Sequence, residues 1–175
     1  MTELLVLCTG NAARSVMAGF MLEHLKAVRP GTDLEIVTAG THTIDGQPMG
    51  LRTRTALSTI PGLAGSNFSG HRSRQVHERD LLRAELVVVM EADHVRYIRR
   101  RHPEAADRTA SIRRLCADLP PAPPPLGDRV AALKLADVPL SDDDDVTDPA
   151  GHDADVYAGC ALELWGLCQQ LFTLL

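Results

Sequence analysis

Aromatic side chains are scarce in this chain: three Phe, two Tyr and one Trp make up 3% of 175 residues, leaving few rings to wall a binding slot. No apolar stretch approaches the ~18 residues needed to cross a bilayer. The N-terminus lacks the basic segment and cleavage pattern of a secretory signal, so the expectation is a cytoplasmic protein with no membrane insertion. A surplus of positive charge is also missing. The net charge of −5 and a pI near 5.8 argue against nucleic acid as a partner, since duplex binders carry a basic stripe. The one basic run, Arg99-Arg100-Arg101, falls on a helical pattern and reads as a solvated face. Cysteine is limited to Cys8, Cys116, Cys160 and Cys168, whose spacings match no zinc ribbon, and a 19 kDa chain needs no disulfide staples. The last three read as buried or reduced thiols, and no metal or cofactor is expected.

The remaining composition, 45% hydrophobic and 23% charged, is ordinary for a globular protein, and the length favours one domain over residues 1–175. Apolar periodicity predicts strands over 3–7, 34–38 and 86–90, and a short fourth strand near 109–115. Helices are predicted over 15–28, 48–59, 73–82 and 92–101. A C-terminal amphipathic helix carries Val156, Cys160, Leu164, Leu167, Leu171 and Leu174 on one face. Strands separated by helices imply an α/β three-layer sandwich, a central four-stranded parallel sheet flanked by helices, with ligands at the carboxyl ends of the strands. Cys8 lies at such an end.

The segment Cys8-Thr9-Gly10-Asn11-Ala12-Ala13-Arg14-Ser15 joins the first strand to the first helix. A strand turning sharply into a helix aims unpaired N–H groups at whatever occupies the turn, and an oxyanion suits that place. Small residues at Thr9, Gly10, Ala12 and Ala13 let the backbone curl, with Gly10 free to take a positive φ. The Arg14 fork holds two phosphate oxygens at once. The same positive field favours a thiolate at Cys8, and Ser15 is placed to donate to that sulfur. The competing reading, a core thiol at a strand end beside a surface arginine, explains none of the clustering. Asn11 suits a bond across the loop that keeps its shape.

This loop resembles that of the low-molecular-weight protein tyrosine phosphatases, Cys-x-Gly-Asn-x-Cys-Arg-Ser. Leu34 to Thr41 is similar to the family's second strand and Ser-Ala-Gly turn, with Thr38 in place of Ser. His71-Arg72-Ser73-Arg74-Gln75, followed by Leu86 to Met90 and then Asp93-His94, resembles its His-x-x-Arg segment and third strand. Asp148-Pro149 matches the Asp-Pro pair carrying the general acid. The resemblance makes His71 and Thr38 candidates for supporting the loop, although a histidine bound to a backbone carbonyl explains His71 as well.

Residues 117–147 stand outside the matched motifs. Pro120, Pro121, Pro123, Pro124 and Pro125 followed by Asp142 to Asp145 read as a stiff, then acidic insertion that buries little surface and forms a mobile surface loop. Four adjacent aspartates without calcium-loop spacing read as solvated charge. Because the segment leads into Asp148, its motion would carry the acid over a substrate.

Several residues depart from the family pattern. Ala13 replaces the second loop cysteine, so a protective disulfide is absent and peroxide should inactivate Cys8 more easily. Val16 stands for a proline, and Ala12 leaves a roomier floor. Ala150-Gly151 occupy positions where many members place tyrosines that wall a phenyl ring. The resemblance implies a metal-independent phosphomonoester hydrolase acting through a phosphocysteine, with Cys8, Arg14 and Asp148 catalytic, residues 9–15 binding phosphate, and phosphotyrosine in a protein as substrate. Phosphoarginine is the variant substrate, though the threonine associated with it would fall at Ala12. An arsenate reductase of the same fold would need relay cysteines, and none occurs between Cys8 and Cys116. A non-catalytic phosphate-binding module is the remaining alternative.

Overall fold

The computed structural model describes residues 2–29, 31 and 33–175. Strand β1 (Thr2–Cys8) lies inside a four-stranded sheet with β2 (Leu34–Gly40), β3 (Leu86–Val89) and β4 (Thr109–Ser111), in the order β2-β1-β3-β4 and parallel throughout. Alternation along β1 divides the core. Leu4, Val6 and Cys8 face one layer with Met17, Leu22, Leu57 and Leu164, while Leu5 and Leu7 face the other with Leu81, Val95 and Ile98. Both faces being covered explains why β1 reads as an unbroken apolar run.

Helix α1 (Arg14–Val28), α2 (Leu51–Ser58) and the long C-terminal helix, here α7 (Ala154–Leu174), contribute to the first layer. Helices α3 (Glu78–Arg83) and α4 (Ala92–Arg101) contribute to the second. The expected three-layer α/β architecture is thus the one found. After β1 the chain moves to one side to form β2, then crosses to the other side for β3. This reversal opens a crevice at the carboxyl ends of β1 and β3, the place where doubly wound sheets bind ligands.

Three expectations need correction. The helix expected over 73–82 begins only at Glu78, because tertiary bonds claim the backbone before it: Ser73 N donates to Gln47 O, Gln75 N to Asp45 Oδ1, and Val76 N to Gly40 O. The strand expected near 109–115 stops at Ser111, whose hydroxyl accepts from Arg114 N and caps α5 (Ile112–Asp118). The segment 117–147 is not simply a surface loop. It contains α6 (Leu126–Ala132), and Leu119, Leu126, Val130, Leu135 and Val146 are all buried in the main core. The buried Arg129 side chain ties Pro120 O to Leu174 O of α7. Apolar residues spaced among the prolines and aspartates supply this anchoring.

Candidate active site

The helix that follows Cys8 starts without a cap. Ala13 makes no side-chain capping bond, the first turn of α1 holds no acidic residue, and Arg14 puts a cation at the positive end of the helix dipole. Among the described residues, the N–H groups of Gly10, Asn11, Ala12 and Ala13 find no hydrogen-bond partner. Unpaired amides, an uncapped helix end and a buried guanidinium converge on the carboxyl end of β1, where Cys8 sits 3% exposed. An oxyanion would satisfy all of them together.

One side of this cradle is held by Asn11. It takes a positive φ, 48°, whereas Gly10, the loop residue freest to do so, has a φ outside that range. Asparagine tolerates this left-handed conformation better than most side chains. Its amide is fully used: Oδ1 accepts from Arg74 N at 3.1 Å, and Nδ2 donates to Thr38 Oγ1 and Ser15 Oγ, both at 3.1 Å. The backbone donor at Arg74 fixes which end of the amide is oxygen. Because Ser15 Oγ already accepts from Asn11, its own proton is free for Cys8 Sγ, 3.0 Å away. The carbonyl of Asn11 accepts from His71 Nε2 at 3.0 Å, and burial holds His71 below its ordinary value despite that bond, favouring the neutral ring. Gly40 completes this side, since a Cβ there would fall 2.5 Å from Thr9 O and 2.9 Å from Asn11 N.

The opposite side is built from charge. Arg14 is 1% exposed and donates to Glu91 Oε2 at 2.6 Å, to Val146 O at 3.0 Å and to Asp148 Oδ2 at 2.8 Å. Burial works against its charge, but the Glu91 hydrogen bond and the nearby Asp148 outweigh that and hold it above the ordinary arginine value. His94, buried on α4, faces Glu91 Oε1 at 3.3 Å and Thr9 Oγ1 at 3.0 Å through Nε2, while Met90 N donates to its Nδ1. That donor places the ring proton on Nε2. Burial, reinforced by the Arg14 charge, lowers His94 from 6.5 to about 3, so it is a neutral donor to the loop. The half-exposed Asp148 also accepts from Ala150 N at 3.1 Å, a turn that leaves its second oxygen on Arg14.

Cys8, Arg14, Ser15 and Asp148 therefore meet at one place, with Asn11, Thr38 and His71 behind the loop. Glu91 and His94 also belong to the site, yet no motif reading assigned them a role; the available signal was their position just past a buried strand, at the carboxyl edge of the sheet. Ala150 and Gly151 present no ring. On the Ala12 side, Thr53 donates to Ala12 O at 3.1 Å and lines an open groove of about 420 Å³ together with Leu51, Arg52 and Tyr157. The other cysteines are buried, with burial pushing Cys116 up to about 11, Cys160 up to about 12 and Cys168 higher still. Among the described residues no helix is long and apolar enough to cross a membrane, and no cluster of His, Cys, Asp and Glu has metal-site geometry.

The chain is similar to known proteins over the same region. A family profile described as low molecular weight phosphotyrosine protein phosphatase matches residues 3–120. A protein-arginine-phosphatase of Geobacillus stearothermophilus is 27% identical over 169 residues, covering 97% of this chain and 93% of that protein. A probable low molecular weight protein-tyrosine-phosphatase of Ralstonia solanacearum is 31% identical over 112 residues, 64% of this chain and 69% of the relative. Among solved structures, an arginine phosphatase from G. stearothermophilus superposes with a TM-score of 0.75 at 26% identity, covering 98% of this chain and 91% of the other. A low molecular weight protein tyrosine phosphatase from T. tengcongensis gives 0.74 at 29% identity, with 98% and 97% coverage. With Cys8 beside a loop of unpaired amides at the carboxyl edge of its sheet and a profile match over residues 3–120, the chain belongs to the low molecular weight phosphotyrosine protein phosphatase family, cysteine-dependent hydrolases.

Proposed function

We propose that residues 1–175 form one cytoplasmic phosphatase domain that hydrolyses phosphotyrosine in proteins, with Cys8 as nucleophile, Arg14 and the Thr9–Ser15 loop as phosphate holders, and Asp148 as general acid. The observation carrying this reading is the convergence of the Ser15-bonded Cys8 sulfur, free loop amides and an Arg14 already engaged by a carboxylate. Asp148 Oδ2 accepts from Arg14 Nη2, a donor that a phosphate oxygen would also claim. A phosphate dianion displaces the carboxylate and leaves it free to carry a proton beside the leaving oxygen.

The reaction then runs in two steps. Cys8 Sγ forms a bond to phosphorus as the P–O bond to the tyrosine breaks, and the leaving oxygen takes the Asp148 proton. Arg14 and the loop amides hold the three equatorial oxygens. Water next bonds to phosphorus and gives a proton to the Asp148 carboxylate. The S–P bond breaks, and the Ser15 hydroxyl receives the returning thiolate. A general acid of this kind contributes about 10²–10⁴-fold.

A second substrate, phosphoarginine, is favoured by the arginine phosphatase that resembles the chain along nearly its whole length, and by the absence of rings at Ala150-Gly151. The test is hydrolysis of p-nitrophenyl phosphate, a phosphotyrosine peptide and a phosphoarginine peptide at about pH 6 with EDTA present. Turnover is expected to vanish in Cys8→Ser and to fall about 10²-fold or more in Asp148→Asn. A phosphoarginine peptide outpacing the phosphotyrosine peptide would reverse the substrate assignment. No turnover by the reduced wild type would overturn the enzyme reading and leave a phosphate-binding module.

A further inference from the structure

The chain that delivers Asp148 is pinned at successive points. Arg99 Nη2 donates to Leu135 O at 2.6 Å and to Val138 O at 2.7 Å. Arg114 on α5 grips Asp144 Oδ2 through Nε and Nη2 at 3.1 and 2.8 Å. Ala92 N, the first amide of α4, donates to Asp145 Oδ1 at 2.7 Å. Val146 N donates to Met90 O at 2.8 Å, and Val146 O accepts from Arg14. Thr147 alone separates this last anchor from Asp148. The four aspartates thus divide. Among the described residues, the Asp142 side chain reaches only the exposed Arg96, at 3.9 Å, and that of Asp143 bonds only Ser141, whereas Asp144 and Asp145 join other elements at hydrogen-bond distance.

We infer that Asp145 is a positioning residue for Asp148: by closing on the first amide of α4 it fixes the strap 135–148 to the element that carries His94, and so sets where the acid stands over the cradle. This rests on the proposed role of Asp148. The contact is favourable twice over, because a helix's first amide lacks an internal partner and its positive dipole end attracts a carboxylate. Fixing the strap matters for proton transfer in particular. A reacting group displaced by about 1 Å costs about 100-fold, and an acid on a loosened strap spends less of its time within reach of the leaving oxygen. Nucleophilic attack by Cys8 depends on the strap far less: the Asn11 side of the cradle holds the loop, and Arg14, although it meets the strap at Val146 O, keeps Glu91 as a partner outside it. Arg114, gripping the preceding residue from α5, acts in the same direction.

The distinguishing measurement is kcat/KM on two aryl phosphates, one whose leaving group departs without a proton (2,4-dinitrophenyl phosphate) and one that needs it (phenyl phosphate). Asp145→Ala should lower kcat/KM for phenyl phosphate about tenfold or more while the dinitrophenyl ester stays within about twofold. Asp145→Asn keeps an oxygen acceptor for Ala92 N and should recover the ratio of the two, which a generic loss of stability would not. Asp148→Asn should show the same selectivity with larger amplitude. Equal loss on both esters in Asp145→Ala, or no loss on either, overturns the positioning role while a selective Asp148→Asn leaves the acid assignment standing. An unselective Asp148→Asn sinks the acid assignment instead. If unfolding curves show that Asp145→Ala does not fold, Arg114→Gln decides by the same ratio, with a smaller expected change.

Discussion

The two sides of the cradle are held by different physics. The Asn11 side uses neutral hydrogen bonds among Asn11, Ser15, Thr38, His71 and the Arg74 amide, all made to a loop packed against β2. The Arg14 side uses ionic partners, Glu91 and Asp148, around a guanidinium almost without solvent contact. Neutral bonds hold the loop without offering a charge for which phosphate would compete. Charged partners can be exchanged, and Asp148 must leave Arg14 for the proposed reaction to run. The fixed side sets geometry, and the charged side is where ligand and proton enter.

Damage to the fixed side should have the largest effect. Asn11→Ala leaves Arg74 N without its acceptor and puts alanine at a positive φ, which together should destabilise the protein by about 2–4 kcal/mol. The slackened loop should lower kcat/KM about 100-fold. Gly40→Ala should do similar harm from outside the loop, since the intruding Cβ meets backbone that cannot swing aside. Denaturant unfolding with steady-state kinetics checks both. Retention of full activity by either variant would show that the loop holds its shape without this scaffold. On the charged side, Glu91→Ala strips one carboxylate from Arg14 but leaves Asp148 and Val146 O, so about 1–3 kcal/mol of stability and roughly tenfold in kcat/KM are expected to go. Its residual activity should be more sensitive to salt than that of Asn11→Ala.

How much of this was legible in the sequence follows the same division. Cys8 to Ser15 is contiguous, and one turn of backbone fixes what its residues can do. The apolar runs at 34–38 and 86–90 announced the parallel sheet, and Thr38 and His71 were found where their motifs lie. Glu91 was hidden because its partner Arg14 is 77 residues away and a lone glutamate after a strand has no signature. The true start of α3 was hidden for the opposite reason. Residues 73–77 have a helix-compatible composition, but Asn11, Asp45 and Gln47 take their amides. In 117–147 the prolines and aspartates dominated the reading, while a few buried apolar residues and Arg129 decide the packing.

Protonation offers a milder test of the same contrast. His94 is lowered from 6.5 to about 3, so between those values the unfolded chain binds a proton that the folded one refuses. This contribution is fully present above about pH 6.5 and is lost as pH falls toward 3, with a slope of about 1.4 kcal/mol per pH unit. His71, also lowered by burial, adds to it with the same sign. Glu3 and Asp145 are raised by burial and act in the opposite sense in the carboxylate range. Comparing wild type with His94→Gln therefore isolates the histidine. The variant's unfolding free energy should decline less steeply between pH 6.5 and 5, and parallel curves would remove His94 as the cause.

The smallest effect is expected at Gly10, and it separates what the loop's small residues do. A flexible glycine at the centre of a phosphate loop invites the inference that it supplies the tight bend, yet the left-handed residue is its neighbour Asn11, and a Cβ built on Gly10 meets nothing within 4 Å. Gly10→Ala therefore removes backbone freedom from the unfolded chain without strain in the folded one, a change worth about 0.4–1 kcal/mol in favour of folding. Thermal unfolding of Gly10→Ala beside Gly40→Ala, two glycine-to-alanine changes on adjoining segments of one site, should move the midpoint in opposite directions. A fall in both would mean that the loop needs conformational freedom at Gly10 as well, and the bend would then belong to the pair Gly10-Asn11 rather than to the asparagine and its bonded amide.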